Sequence, residues 1–319
     1  MKPPYKITNR ILELIASISE KIGEVNAAYL YRPPAKLRKK NRIRTIQSSL
    51  EIEGNSLSLD QITAIIENKR IIAPKKDILE VKNAIKAYNN LDSYNPTSLV
   101  SFCKAHEILM NELIENAGKI RTKSVGIIKG ATITHVAPPG NIVKSLVKDL
   151  FSYLKTDQDL TIIKSCVFHY EIEFIHPFMD GNGRIGRLWQ TVILRQYSPV
   201  FEFLPIETLI KTRQAEYYKI LGDSDNIGDS TGFIEFLLQI INESLEELLT
   251  NQNVNLTSKD RIDIFKEKIR KASFNRQDYM RQFKDISSAT ASRDLKLAVD
   301  EGILSKTGDK RTTLYRFKK

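Results

Sequence analysis

His176-Pro177-Phe178-Met179-Asp180-Gly181-Asn182-Gly183-Arg184-Ile185-Gly186-Arg187 lies between two stretches of helical periodicity and concentrates the chemistry of this chain. Gly181 and Gly183 flank Asn182 where the second helix begins. Bare backbone N–H groups there suit an anion nest backed by a helix N-terminus. Arg184 and Arg187, three apart, share a helix face, and each offers a planar fork of donors to phosphate or carboxylate oxygens. Asp180 is a hard oxygen ligand of the kind magnesium takes beside nucleotide phosphates. Histidine is the side chain whose ordinary pKa lies nearest neutrality, which makes His176 the natural general base for a hydroxyl nucleophile. Each residue alone has a plainer reading: a Gly-Asn-Gly turn, a solvated arginine pair, a loop histidine, with Phe178 as buried packing. Gathered within twelve residues, they point together to phosphate or nucleotide binding.

Helical periodicity surrounds this loop. Ile162, Ile163, Cys166, Val167, Tyr170 and Phe174 form a stripe that ends before Pro177, and a helix from about Gly183 to Gln196 follows. Ile11, Leu12, Leu14, Ile15 and Ile18 make another stripe, as do Leu79, Val81, Ile85 and Tyr88, with Lys and Glu filling the other faces. Further helices are expected over Leu99 to Asn116, Asn141 to Leu154, Glu207 to Leu221 and Gly232 to Leu249. Val125 to Gly130, with Pro138-Pro139 beyond, breaks the pattern and predicts a short extended hairpin.

The chain has 319 residues with 41% hydrophobic and 27% charged, which leaves room for two or three domains and argues against disorder. Cys103 and Cys166 are too few and too far apart for a disulfide framework or zinc site, and the four histidines lack metal-ligand spacing. No apolar run is long enough to span a membrane, so a cytoplasmic protein with no membrane partner is expected.

HPFMDGNGRIGR matches, at every specified position, the HxFx(D/E)GNGRxxR signature of Fic proteins. The resemblance covers about residues 5 to 245. It implies a mainly α-helical bundle with a short β-hairpin flap, and an ATP- and magnesium-dependent protein adenylyltransferase. Such an enzyme moves AMP from ATP to a Ser, Thr or Tyr hydroxyl of a target protein, or of itself. By this resemblance His176 is the base and Asp180 the magnesium ligand. Gly181, Asn182 and Gly183 hold phosphates, Arg184 reaches the α/β region and Arg187 the γ-phosphate. Ile185, Gly186 and the flap residues Ile127, Ile128, Lys129 and Gly130 join the ATP site. The flap also pairs with an extended target segment as an added strand. Tyr217 or Tyr218 lines the adenosine pocket, although a helical tyrosine pair is more often core.

Upstream, Ser49-Leu50-Glu51-Ile52-Glu53-Gly54 ends a basic helical stretch, with Gly54 as its cap. It resembles the (S/T)xxxE(G/N) inhibitory motif of the family. The resemblance makes Ser49, Glu53 and Gly54 inhibitory and pairs Glu53 with Arg187, where the γ-phosphate would sit. Glu53 itself is alternatively a residue that orients water to remove AMP.

Beyond the polar stretch 251–255 the composition changes. From Lys259 onward, 17 Lys and Arg face 9 Asp and Glu, so this segment carries +8 of the formal +11. Helix, turn, helix and two short strands around Gly308-Asp309 follow the order of a winged helix-turn-helix. The expected organisation is therefore an N-terminal helical region 1–95, a catalytic domain 96–249, a linker 250–258 and a winged helix 259–319. Ser288, Thr290, Ser292, Arg293 and Lys296 are candidates to face a DNA major groove, with Lys310 and Arg311 near phosphates at the wing. This keeps a competing class open, a DNA-binding regulator whose Fic part senses nucleotide. Use of the winged helix for homodimer or protein contact is the plainer alternative.

Overall fold

The computed structural model describes residues 3–27, 33–124, 126–129, 132–250, 256–269, 272–283, 286–309 and 312–318, with backbone alone for 126–129 and 132–136. The expected linker stretch 251–255, and Val125, Gly130, Lys310 and Arg311, lie outside the described residues. Residues 1–31 and 38–250 form one compact unit; residues 32–37 and 251–319 form a second. The N-terminal helices thus share a unit with the loop at 176–187 instead of standing as a separate region ending at 95.

In chain order the first unit holds α1 (Asn9–Ala27), α2 (Ala35–Ile52, belonging to this unit from Arg38), α3 (Leu59–Ile66), α4 (Lys75–Asn89) and α5 (Leu99–Leu109). After these come β1 (Gly126–Lys129), β2 (Thr132–Val136), α6 (Gly140–Thr156), α7 (Thr161–Ile175), α8 (Asn182–Tyr197), α9 (Ile206–Thr212), α10 (Gln214–Ile227) and α11 (Thr231–Thr250). The centre is the pair α7 and α8, packed along one another, while α1 lies along α11. Every residue of α8 from Asn182 to Leu194 is buried. A helix enclosed on all sides normally has only apolar side chains. Arg184, Arg187, Gln190 and Thr191 break that rule, and their partners define the site.

Two breaks differ from the periodicity. The helix expected over Leu99 to Asn116 stops at Leu109; Glu112 turns to φ 60°, and Gly118, at φ 77°, folds the chain back onto α5 and donates its N–H to His106 Nδ1 at 2.9 Å. A Cβ on Gly118 would stand 2.8 Å from the Cys103 carbonyl oxygen, so only glycine fits this return. The helix expected over Glu207 to Leu221 is two helices, separated at Arg213.

On α4 the buried face is rotated from the one read in the sequence. Val81 and Tyr88 are buried, as are Glu80, Asn83, Ala84 and Ala87, while Leu79 and Ile85 are only half-buried. The hairpin is antiparallel, with Gly126 opposite Val136 and Lys129 opposite Thr132, and a bulge falls between Ile127 and Ile128.

The second unit carries α12 (Ser258–Lys268), α13 (Arg276–Gln282), α14 (Ser288–Asp300), β3 (Leu304–Thr307) and β4 (Leu314–Phe317). Strands β3 and β4 are antiparallel, and Phe274 adds an isolated bridge to Tyr315. Asp294, fully buried on α14, accepts from Arg261 Nε at 2.7 Å and Tyr279 Oη at 3.1 Å, tying the three helices together.

Candidate active site

The loop 176–181 is the turn between the two central helices. α7 ends on His176 in the left-handed conformation, at φ 52°, and α8 starts from Gly181 at φ 83°. A histidine at positive φ is uncommon and is held here by its surroundings. Arg121, 3% exposed, provides the clamp. Its Nε donates to the His176 carbonyl at 2.6 Å and its Nη2 to those of Ile175 at 3.1 Å and Pro138 at 2.8 Å. Its Nη1 donates to the Lys123 carbonyl at 2.7 Å. One guanidinium thus joins the last carbonyls of α7 to both ends of the β1–β2 hairpin, a cation where the helix dipole is negative.

The loop is fixed from within as well. Asn182 accepts from Phe178 N–H at 2.8 Å and donates to the Phe178 carbonyl at 3.0 Å. Its side chain therefore closes the turn, and its expected part in holding phosphate falls to its backbone. Behind the loop, His106 stacks on Phe178 with ring centroids 3.6 Å apart. Because His106 Nδ1 accepts from Gly118, its Nε2 carries the proton and donates to the Asp180 carbonyl at 2.9 Å. Burial lowers the His106 pKa to about 4, so the ring stays neutral.

The reactive edge of His176 follows from its other contact. Nδ1 lies 3.2 Å from the Glu173 carbonyl, which can only accept, so Nδ1 carries the hydrogen and Nε2 is the basic nitrogen. Asp180, its side chain 51% exposed, accepts from Gly181 N–H at 2.6 Å and Arg184 Nη2 at 3.0 Å, both at Oδ1.

Arg187 is 2% exposed and is held by the end of α2 and the residue that follows it. Its Nε donates to Ser49 Oγ at 3.0 Å, and its Nη2 to the Ser49 carbonyl and to Glu53 Oε1, both at 2.8 Å. Burial pushes the Glu53 carboxyl up, but Arg187 beside it outweighs that and holds it below its ordinary range. Gly54, at φ 89°, terminates this helix. A Cβ on Gly183 would come 2.4 Å from Glu53 Oε1 and 3.0 Å from Arg187 Nη1. The Glu53 carboxylate therefore lies over the bare first turn of α8, in the position an anion would take.

Not every expected residue faces this space. Ile185 is fully buried in the core, and Gly186 packs on His169 and Ile172 of α7, so both serve helix packing instead of lining a pocket. Tyr217 is 1% exposed, with its hydroxyl 3.1 Å from His169 Nε2, and is a core residue. Tyr218 is half-buried beside it, both tyrosines interact with Glu53 and Arg187, and burial raises the Tyr218 pKa to about 12. The side chains of Ile127, Ile128 and Lys129 lie outside the described part. On α14, Ser288, Arg293 and Lys296 are exposed, whereas Thr290 bonds its own N-cap Ser287 and Ser292 bonds the Ser288 carbonyl and Arg276.

Comparison with known proteins bears on the family of the chain. The Fic/DOC family pattern matches residues 96–194. The crystal structure of a Fic family protein from Desulfovibrio desulfuricans G20 superposes with a TM-score of 0.76 at 37% identity, over 100% of this chain and 98% of that one. The chain belongs to the Fic family. It is also 32% identical over 222 residues to the protein adenylyltransferase fic-1 of Caenorhabditis elegans, which covers 64% of this chain. It is 27% identical over 267 residues to the protein adenylyltransferase Fic of Nematostella vectensis, covering 77% of this chain. The chain spans 40% and 58% of the length of those two relatives. The Fic motif residues His176, Asp180, Arg184 and Arg187 thus sit on one loop and the helix it opens.

The loop also recruits residues that the sequence reading missed. Glu80 on α4 accepts from Arg184 Nη1 at 3.0 Å; Arg121 and His106 brace the loop from behind. Among the described residues no helix is long and apolar enough to cross a membrane.

Proposed function

We propose that the chain is a protein adenylyltransferase that moves AMP from ATP to a Ser, Thr or Tyr hydroxyl, and that Glu53 restrains it. The observation that carries this reading is the Glu53 carboxylate on Arg187, over Gly183, in the anion position of a loop whose histidine presents Nε2 as base. In the reaction, His176 Nε2 takes the proton of the target hydroxyl. Its oxygen forms a bond to the α-phosphorus, the bond from that phosphorus to the bridging oxygen breaks, and pyrophosphate leaves. Negative charge growing on the leaving group is met by Arg184, Arg187 and the N–H groups opening α8. The relatives named as protein adenylyltransferases support this substrate, as does the buried Arg184 Nε, which has no hydrogen-bond partner among the described residues.

Magnesium fits the donor set with Asp180 as its protein ligand, since this ion is commonly held by one carboxylate together with substrate phosphates. When bound, it would neutralise phosphate charge. Asp180 is exposed enough to offer an oxygen while Arg184 and the Gly181 N–H steady the other side of the group.

With Glu53 in place, the γ-phosphate and the carboxylate compete for one arginine. The test is transfer itself: the Glu53→Gly chain incubated with ATP, magnesium and candidate proteins, with AMP adducts read by mass spectrometry. Adducts that vanish in Glu53→Gly/His176→Ala are expected; no adduct on any protein, the chain included, refutes the reading.

The second unit favours an additional role. We read its order of three helices and a hairpin as a winged helix, with the exposed Ser288, Arg293 and Lys296 of α14 offered to duplex DNA. A salt-dependent mobility shift lost in Arg293→Ala/Lys296→Ala is expected. No shift at low salt would instead leave this unit to protein contacts.

A further inference from the structure

Glu80 is a buried carboxylate on α4, 7% exposed, that the reaction above does not use. Its Oε1 accepts from Arg184 Nη1 at 3.0 Å and its Oε2 from Asn55 Nδ2 at 2.8 Å. It therefore holds both the first arginine of the motif and the residue two beyond Glu53. Arg184 is gripped on two sides, Nη1 by Glu80 and Nη2 by Asp180 Oδ1 at 3.0 Å. Its Nε–H is buried and has no partner among the described residues. A buried donor without an acceptor is costly unless an acceptor arrives, and a phosphate oxygen is what this planar fork suits.

We infer that Glu80 fixes the plane of Arg184 so that its Nε edge stays open to a phosphate of the nucleotide. Glu80 is thus a positioning residue for phosphate recognition, an inference that rests on the nucleotide reading of the site. Without Glu80, the remaining carboxylate partner is Asp180, and the favoured arginine–carboxylate geometry is bidentate. Arg184 would then turn Nε and Nη2 onto Asp180 and close the edge.

Two simpler roles predict other outcomes. If Glu80 acted only through its charge, removing a negative group beside an anion site would tighten phosphate binding. If it were only a structural ion pair, its loss would weaken adenosine and its phosphates alike.

The experiment uses the full chain carrying Glu53→Gly, so that the α2 contact does not mask the effect. Glu80→Gln is added, and ADP and adenosine are titrated by calorimetry alongside ATP kinetics. ADP affinity is expected to fall about tenfold and the ATP KM to rise in step, with adenosine affinity at its parent value. Unchanged or tighter ADP binding, or parallel loss of adenosine, overturns the inference. Glu80→Asp keeps the charge but shortens the reach, and is expected to show the same selective loss, so a misfolded Glu80→Gln does not spare the inference from test. A Glu53→Gly parent that binds ADP but transfers no AMP would sink the transferase reading while the Glu80 comparison on ADP still decides this one.

Discussion

Glu53 and Arg187 stand 134 positions apart in the chain and 2.8 Å apart in the fold. The contact joins the residue that follows α2 to the second turn of α8, and Ser49, one turn before Glu53, supplies two further acceptors to the same guanidinium. Nε and Nη2 of Arg187 are both taken up at this end of α2, so a nucleotide phosphate that uses the same donors displaces Ser49 and Glu53 from them.

Gly183 is the reason the carboxylate can approach. Gly183→Ala would place a methyl group 2.4 Å from Glu53 Oε1, expelling the carboxylate and equally any phosphate that takes its place. We therefore expect Gly183→Ala to stay inactive in AMP transfer even when combined with Glu53→Gly. Transfer restored to the Glu53→Gly rate in the double variant would show that the phosphates lie elsewhere.

Arg121 couples the hairpin to the base. Lysine at this position keeps the charge but cannot span four carbonyls from one rigid fork. Losing two or three charge-assisted bonds should cost on the order of 2–4 kcal/mol of stability and let the hairpin drift from His176. Arg121→Lys is expected to lower transfer to protein acceptors at least tenfold while ADP affinity, read by calorimetry, stays near its starting value. An equal loss of both would mean that Arg121 supports only the general fold.

Much of this site was legible in the sequence because it is local. The loop and both arginines lie within one twelve-residue stretch, and the glycines mark where side chains must be absent. Glu80 was illegible for a particular reason: the apolar stripe Leu79, Val81, Ile85 and Tyr88 assigns it to the solvent face. In the fold, α4 turns its Glu80, Ala84 and Ala87 side inward. The small residues at i+4 and i+7 from Glu80 were the available signal, since small side chains on one face accompany close packing. His106 and Arg121 carried no such pattern, because their partners are backbone carbonyls and amides far along the chain.

Glu207 predicts a pH dependence of stability. It is 2% exposed, accepts from the Tyr88 hydroxyl at 3.1 Å, and burial raises its pKa to about 7. The unfolded chain releases this proton near the ordinary carboxylate range, so the folded state binds more protons in between. Stability contributed by the protonated group is full below the unfolded value and is lost as pH rises through about 7. Glu207→Gln should therefore gain stability relative to the parent between pH 5 and pH 8, on the order of 2–3 kcal/mol. Urea unfolding at both values checks it, and a difference that does not change with pH would mean that Glu207 is ionised throughout.

As proposed, this chain transfers the α-phosphoryl part of ATP as AMP, and the Glu53 contact to Arg187 holds transfer back. The most direct measurement compares the unaltered chain with Glu53→Gly, each given ATP labelled at either the α- or the γ-phosphate, and counts label on protein. The expected result is α-label on protein, at least tenfold more with Glu53→Gly than without it, and no γ-label in either. Protein carrying γ-label, or equal α-label from the two chains, would contradict it.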